Sequence, residues 1–365
     1  MKIAVLGVGL IGGSIGLAAR RRLDAEVVGC GRSPERLRRA VELGAIDRGA
    51  GSVAEACADA DLVVCAGPVA VLPEQAREAL DAAGPEAVVT DVGSTKGELV
   101  DALGGDERFI GGHPLAGAET AGVENAREDL FEGARWYLTP TERSSGLLYD
   151  RLQRTLSALG ARPQAIDPHG HDRLMATVSH LPHVLANVLA AEAADSLTQN
   201  SERLPDVGPS FRDMTRVAGS NPAIWADIFA SNREAVAASV DAVGERLREA
   251  AELIRGGDRE ALAAWHGSAG EARQRLLDSE SEAGPLRELR IVVANKPGTI
   301  AELALALGEA GVNIEDMALH PAADMTSGAV SLWVAGDEQA AKAERLVRDL
   351  GHTVTVLGGG SGQDQ

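Results

Sequence analysis

The sequence predicts a three-part chain. An open α/β domain covers residues 1–167, an all-α block 168–283 and a βαββαβ unit 287–358, with a disordered tail at 359–365. Three observations predict this. In the first part, short apolar runs alternate with helical stretches of about a dozen residues, the mark of βαβ units and a mostly parallel sheet. The middle holds long alanine- and leucine-rich helical patterns such as "HVLANVLAAEAADSL" and almost no strand signal. The last part, opening "RELRIVVANKPGTIAELALALGEAGVNIEDMAL", reads strand, helix, strand, strand, helix, strand.

Composition bounds the function. The 365 residues exceed one small core, and 45% hydrophobic content with 24% charged suits an ordinary globular protein. A formal net charge of −19 argues against nucleic acid as a partner. An anionic substrate therefore needs a local cluster of basic side chains. Cys30, Cys57 and Cys65 are an odd set without metal-ligand spacing, so reduced thiols in a cytoplasm are expected, with no metal site. The first apolar stretch is broken by glycines and has no cleavage site. No continuous apolar run approaches the roughly 18 residues of a spanning helix, so no membrane partner is expected.

Taken in order, the first part starts with the strand "KIAVLGVG" and the helix "GGSIGLAARRRL". Strands "EVVGCG", "ADLVVCAGP", "EAVVTDVGS", "RFIGGHP", "ARWYLTP" and "RPQAID" follow. Gly7, Gly9 and Gly12 stand in GxGxxG spacing between the first strand and helix, the Rossmann-type fingerprint of a dinucleotide site. The first glycine allows the tight turn, the second lets a pyrophosphate reach the backbone, and the third lets helix and strand pack closely. The amides of the first helical turn, at Leu10 and Ile11, complete the phosphate cradle. NAD and NADP both remain open. The acid expected after the second strand is replaced by Gly31, and Arg32 and Ser33 follow, which leans toward NADP.

Four further stretches carry polar residues that a scaffold does not need. "DVGSTKG" (Asp91–Gly97) and "GGHPLAGAE" (Gly111–Glu119) both follow strands, and so arrive at the sheet edge where α/β ligands bind. "SHLPHVLANV" places His180 and His183 three apart on one helical face, and "FRDMTRVAGSNPAIWADIF" does the same for Asp213 and Arg216. With "GVGLIGGS" and "NKPGTIAELALALGEAGVNIEDM", these motifs in this order resemble the prephenate dehydrogenase family with a C-terminal ACT domain, and they span nearly the whole chain.

That resemblance implies oxidative decarboxylation of prephenate to 4-hydroxyphenylpyruvate in tyrosine biosynthesis, with NAD or NADP. His113 is similar to the family's catalytic histidine, and an imidazole suits a hydroxyl proton at cytoplasmic pH. Its flanking glycines would bring the backbone close to ligand, and Pro114 would stiffen the turn that aims the ring. Ser94 resembles the serine that binds the substrate hydroxyl and helps orient the histidine; its plainer reading is a helix cap. Arg216 looks like the arginine that holds a substrate carboxylate, with Asp213 orienting it. His183 matches a histidine near the substrate side chain, while His180 and the pair His169 and His171 read as core or helix-start residues. Glu119 belongs at the edge of the site, where an acid would favour the ammonium of arogenate over the ketone of prephenate.

In the last part the ferredoxin-like order resembles ACT domains, with Asn295, Gly298, Asn313 and Ile314 as effector-binding positions and tyrosine as the expected effector. A homodimer through the helical block is expected. Two rivals carry weight: arogenate dehydrogenase, and a non-catalytic amino-acid sensor, which would not need Ser94, His113 and Arg216 together. A β-hydroxyacid dehydrogenase is disfavoured because no lysine lies between Lys96 and Lys296, where those enzymes carry their acid/base group.

Overall fold

The computed structural model describes residues 1–117, 120–198, 207–280, 286–294, 296, 298–314, 316–321 and 327–357. The expectations for Glu119, Asn295 and the tail lie outside these. The chain divides into two compact units, Met1–Leu247 and Arg248–Gln365.

The first unit is built on one sheet. Its strands are β1 (Lys2–Leu6), β2 (Glu26–Cys30), β3 (Arg48–Ala50), β4 (Leu62–Cys65), β5 (Val88–Asp91), β6 (Phe109–Pro114), β7 (Arg135–Thr139) and β8 (Arg162–Ala165). The sheet order is β3-β2-β1-β4-β5-β6-β7-β8. The first six strands run parallel, and β7 joins β6 antiparallel. This is the doubly wound Rossmann arrangement, whose order reverses beside β1. The short β3 carries too few apolar residues to stand out in the sequence. Parallel strands must be apolar on both faces. Ile3, Val5, Val27 and Val64 pack on one side, and Ala4, Leu6, Val63 and Cys65 on the other.

Helices α1 (Leu10–Leu23), α2 (Pro34–Glu42), α3 (Val53–Cys57), α4 (Leu72–Ala82), α5 (Gly97–Leu103) and α6 (Gly146–Ala158) cover this sheet. A long helical run then leaves it: α7 (Pro168–Met175), a single π-turn over Ala176–His180, and α8 (Leu181–Thr198). By length and composition alone the stretch Pro168–Asp195 could cross a membrane. Its buried His171, Asp172 and His180, however, all bond to other elements of the same unit. The helices α9 (Pro209–Thr215), α10 (Pro222–Ser231) and α11 (Arg233–Gly256) follow.

The second unit contains α12 (Arg259–Glu280) and then β9 (Leu286–Ala294), α13 (Thr299–Glu309), β10 (Asp316–Pro321), β11 (Ser327–Ala335), α14 (Asp337–Asp349) and β12 (Thr353–Leu357). Its antiparallel sheet has the order β10-β11-β9-β12. Leu289, Ile291, Val330, Leu332 and Val334 form its core with Leu303, Leu307 and Val347 from the two helices. Ile314 packs onto this core, whereas Asn313 is exposed. Gly298 starts α13 at φ +94°, a left-handed conformation that favours glycine.

Candidate active site

The glycine fingerprint forms the turn that its spacing predicts. Gly7 has φ +108°, and a Cβ there would lie 2.6 Å from the Ala66 carbonyl oxygen. A Cβ on Gly12 would lie 2.1 Å from the Gly7 carbonyl oxygen, so this glycine lets α1 sit against β1. Gly9 caps α1 and faces open space. That space is a cleft of about 570 Å³ at the carboxyl ends of β1, β2 and β4, lined among others by Gly7, Gly9, Arg32, Ser33, Arg36 and Gly67. Free first-turn amides aimed at an open cleft are what a dinucleotide pyrophosphate requires, so these residues fit the cofactor. Leu10 and Ile11 turn their side chains into the core, leaving only their backbone for a phosphate. Ser33 is also a helix cap, accepting the Arg36 amide at 3.3 Å.

A second pocket, about 290 Å³, lies where β5 and β6 end beneath the helical run. Ser94, His113, Met175, His180, Trp225 and Ile228 help to line it. His113 belongs to β6 itself, paired with Tyr137 of β7, and Pro114 stands opposite Trp136. The expected proline-stiffened turn is therefore a strand. Its antiparallel ladder to β7 continues beyond the last pairing with β5, at Thr90 and Ile110. The two glycines also serve a different end. A Cβ on Gly111 would meet Thr139 Oγ1 at 2.3 Å, and one on Gly112 would meet the Asp91 carbonyl oxygen at 2.5 Å. They let strands close on each other, not the backbone on a ligand.

A buried ion pair lies next to the strand end that carries His113. Asp91 accepts the Gly112 amide at 2.9 Å and the Gly93 amide at 2.7 Å, and it pairs with Lys96. Both side chains are fully buried. Burial pulls the Lys96 pKa down, and the Asp91 carboxylate works against that pull.

Behind His113 runs a line of hydrogen bonds. His113 Nδ1 lies 2.8 Å from His171 Nε2, and His171 Nδ1 lies 2.8 Å from Asp172 Oδ1. The Asp172 carboxylate also accepts the amides of Lys96 and Gly97, each at 2.7 Å. Burial holds the His113 pKa well below 6.5, and His171, Lys96 and His180 push it the same way. The ring is thus neutral, as a base must be. His171 does begin a helix, but it is also fully buried against His113. Sequence reasoning missed it and Asp172. Asp167 already caps α7 through the Gly170 amide, so a second acid inside the helix, five residues on, was the available signal.

The π-turn adjusts the phase of the next two histidines. His180 Nδ1 receives Asn232 Nδ2 at 3.1 Å, and its ring meets Trp225 edge-on. His183 stacks on Trp225 with 3.4 Å between ring centroids and donates from Nδ1 to the Ser179 carbonyl at 3.1 Å. Burial lowers the His183 pKa; the Ser179 carbonyl opposes that, and the Arg216 charge adds to the lowering. So Ser94, His113 and His180 meet in one pocket. His183 backs its Trp225 wall, Arg216 lies close to His183, and Asp213 is on an exposed part of α9.

His180 also links stability to pH. Burial pushes its pKa down to about 4, against the pull of Asp172. The unfolded chain then takes up a proton between the ordinary value of 6.5 and 4 that the folded chain refuses. The associated stability is complete above 6.5 and is lost as the pH falls through this window, about 3 kcal/mol in all. The midpoint of thermal unfolding should fall steeply on acidification, and His180→Gln should flatten that dependence. A melting point unchanged between about pH 7 and about pH 4 would contradict the buried neutral ring.

Residues 15–164 match the family described as prephenate dehydrogenase, nucleotide-binding domain. Residues 167–267 match prephenate dehydrogenase, dimerization domain. The chain is 31% identical over 363 residues to a prephenate dehydrogenase of Bacillus subtilis, covering 94% of this chain and 95% of that one. Among solved structures it is similar to the Aquifex aeolicus prephenate dehydrogenase in complex with hydroxyphenyl propionate and NAD+. That match has 32% identity and a TM-score of 0.71, covering 76% of this chain and 98% of the other. A Synechocystis arogenate dehydrogenase is similar at 28% identity and a TM-score of 0.66, covering 76% and 100%. The residues of the fingerprint, the pocket histidines and these likenesses agree: the chain belongs to the prephenate dehydrogenase family.

Proposed function

We propose that this protein oxidatively decarboxylates prephenate to 4-hydroxyphenylpyruvate, using NAD or NADP. The observation that carries the reading is a half-buried, neutral His113 lining a pocket beside Ser94, at the same sheet edge as the dinucleotide cleft. A nicotinamide cofactor held at the Gly7–Gly12 turn and its cleft would supply the acceptor for the hydride of the hydroxyl-bearing ring carbon. His113 takes the hydroxyl proton as the carbonyl forms, and Ser94 holds the same oxygen. Carbon dioxide then leaves, its bonding electrons make the ring aromatic, and the phenolic oxygen regains a proton.

Arg216 receives a substrate carboxylate, with His183 and Trp225 beside it and Asp213 one turn before. Arg216→Ala should raise the apparent KM roughly 10- to 100-fold, as expected for losing a charge-assisted pair worth about 1.5–3 kcal/mol, with a smaller effect on kcat. An unchanged KM would remove Arg216 from the substrate site.

For the cofactor, Glu74 and Glu78 line part of the cleft, but Arg32 and Arg36 line it beside Gly31, which stands where an acid would repel a 2′-phosphate. This favours NADP; the NAD+ complex of the Aquifex relative keeps NAD in play. Arogenate is the second substrate reading, favoured by the likeness to the Synechocystis arogenate dehydrogenase. One set of assays following NAD(P)H absorbance, pairing prephenate or arogenate with NAD or NADP, separates all four. Reduction in none of them would revive the sensor reading.

The function is cytoplasmic and dimeric in this proposal, with the domains dividing near residues 167 and 283. Val240 and Leu247 are exposed apolar residues on α11, suited to a second copy of the helical block. The βαββαβ order and the β10-β11-β9-β12 sheet support a ferredoxin-like ACT domain over 287–358. Tyrosine as its effector must bind one state better than another to act at all. If millimolar tyrosine leaves both turnover and thermal stability untouched, that part is withdrawn.

A further inference from the structure

We propose that His171 and Asp172 act as a positioning pair that sets the tautomer of His113, so that Nε2 carries the lone pair offered to substrate. This rests on the reading of His113 as the base.

The assignment follows from counting donors along the buried line. An ionised carboxylate only accepts. Burial disfavours ionisation of Asp172, but hydrogen bonds from His171 and from the Gly97 and Lys96 amides outweigh it and hold the carboxyl below its usual range. The proton in the His171–Asp172 bond therefore sits on His171 Nδ1. In a neutral His171, Nε2 is then the acceptor, and the hydrogen in the 2.8 Å contact must come from His113 Nδ1. Only Nε2 of His113 is left bare. A cationic His171 would reverse the contact and place a second buried cation near Lys96. The neutral form leaves the charges balanced, with Lys96 against Asp91 and Asp172 against two amides.

The same carboxylate does a second job. Through the Lys96 and Gly97 amides it ties down the end of the loop that carries Ser94. Asn232 Nδ2 donates to the Asp172 carbonyl at 2.8 Å and also meets His180. Asp172 therefore sets the position of Ser94 and the tautomer of His113 together. When the substrate proton reaches Nε2, the O–H bond breaks and the N–H bond forms. The resulting imidazolium is steadied through His171 by the Asp172 charge, with no need for the carboxylate to be protonated.

The test uses the full-length protein labelled with [15N]histidine. Long-range 1H–15N spectra, assigned by the signals lost in His113→Asn and His171→Asn, should show Nδ1–H and a bare Nε2 on both rings. A proton on His113 Nε2 in the wild-type enzyme overturns the proposal, and this result does not depend on any variant folding. Asp172→Ala removes the acceptor at His171 Nδ1, so protons should appear on Nε2 of both rings. The kcat of this variant should fall by up to roughly 10⁴-fold with KM within a few-fold. Loss of activity without a flipped tautomer would leave Asp172 a structural role only and also overturn the proposal. The two readings fail separately. An active His113→Asn refutes His113 as the base, whereas an inactive His113→Asn with a proton on wild-type Nε2 refutes only the tautomer assignment.

Discussion

His113→Asn should lower turnover by roughly 10²–10⁴-fold, the usual loss when a general base is removed. Asparagine is the informative replacement because its Nδ2 can still donate to His171 Nε2, as His113 Nδ1 does now. The strand pairing with Tyr137 is a backbone matter and survives. Folding and substrate affinity should therefore change little, and the loss should fall on kcat. The pH profile supplies an independent check. Burial, with His171, Lys96 and His180 behind it, holds the His113 pKa well below 6.5. The acid limb of kcat should accordingly lie well under 6.5, and the rate should be flat through neutrality. An asparagine variant within a few-fold of the original rate would remove His113 from the chemistry.

How much of this could be read from the chain depends on the range of the forces involved. The Rossmann strands were legible because burial on both faces demands continuous apolar runs, as in "KIAVL" and "LVVC". Gly7 and Gly12 were legible because only glycine tolerates their turn and close contacts. The line through His171 and Asp172 was not. It joins residues 58 positions apart, and nothing local to "PHGHD" distinguishes a buried relay from an ordinary helix start. The partner of the His113 strand was hidden for a similar reason, since β7 arrives from more than twenty residues downstream. Gly111 and Gly112 looked like ligand-facing residues until Thr139 and Asp91 were seen to lie against them. The motif stretches thus named the right neighbourhood, while the contacts that determine each residue's task come from elsewhere in the chain.

Lys96→Met should be the most damaging single change to the fold, costing about 3–5 kcal/mol, because it leaves the Asp91 charge buried with its cation gone. Two backbone amides, from Gly93 and Gly112, would still donate to the carboxylate, but no positive charge would face it. In a unit of this size that loss lowers the unfolding midpoint by roughly 10 °C. The origin of the effect can be tested with a second variant. Asp91→Asn removes the stranded charge and keeps an oxygen for the Gly112 amide, so the double variant Asp91→Asn/Lys96→Met should be more stable than the sum of the single losses predicts. Strict additivity would mean that the lysine contributes by packing alone. The pair also reaches into the chemistry. The Lys96 charge helps to keep His113 neutral, so in Lys96→Met the His113 pKa rises toward its ordinary value and the acid limb of kcat moves to higher pH. A stability loss accompanied by that shift would tie the buried ion pair to both the sheet edge and the base above it.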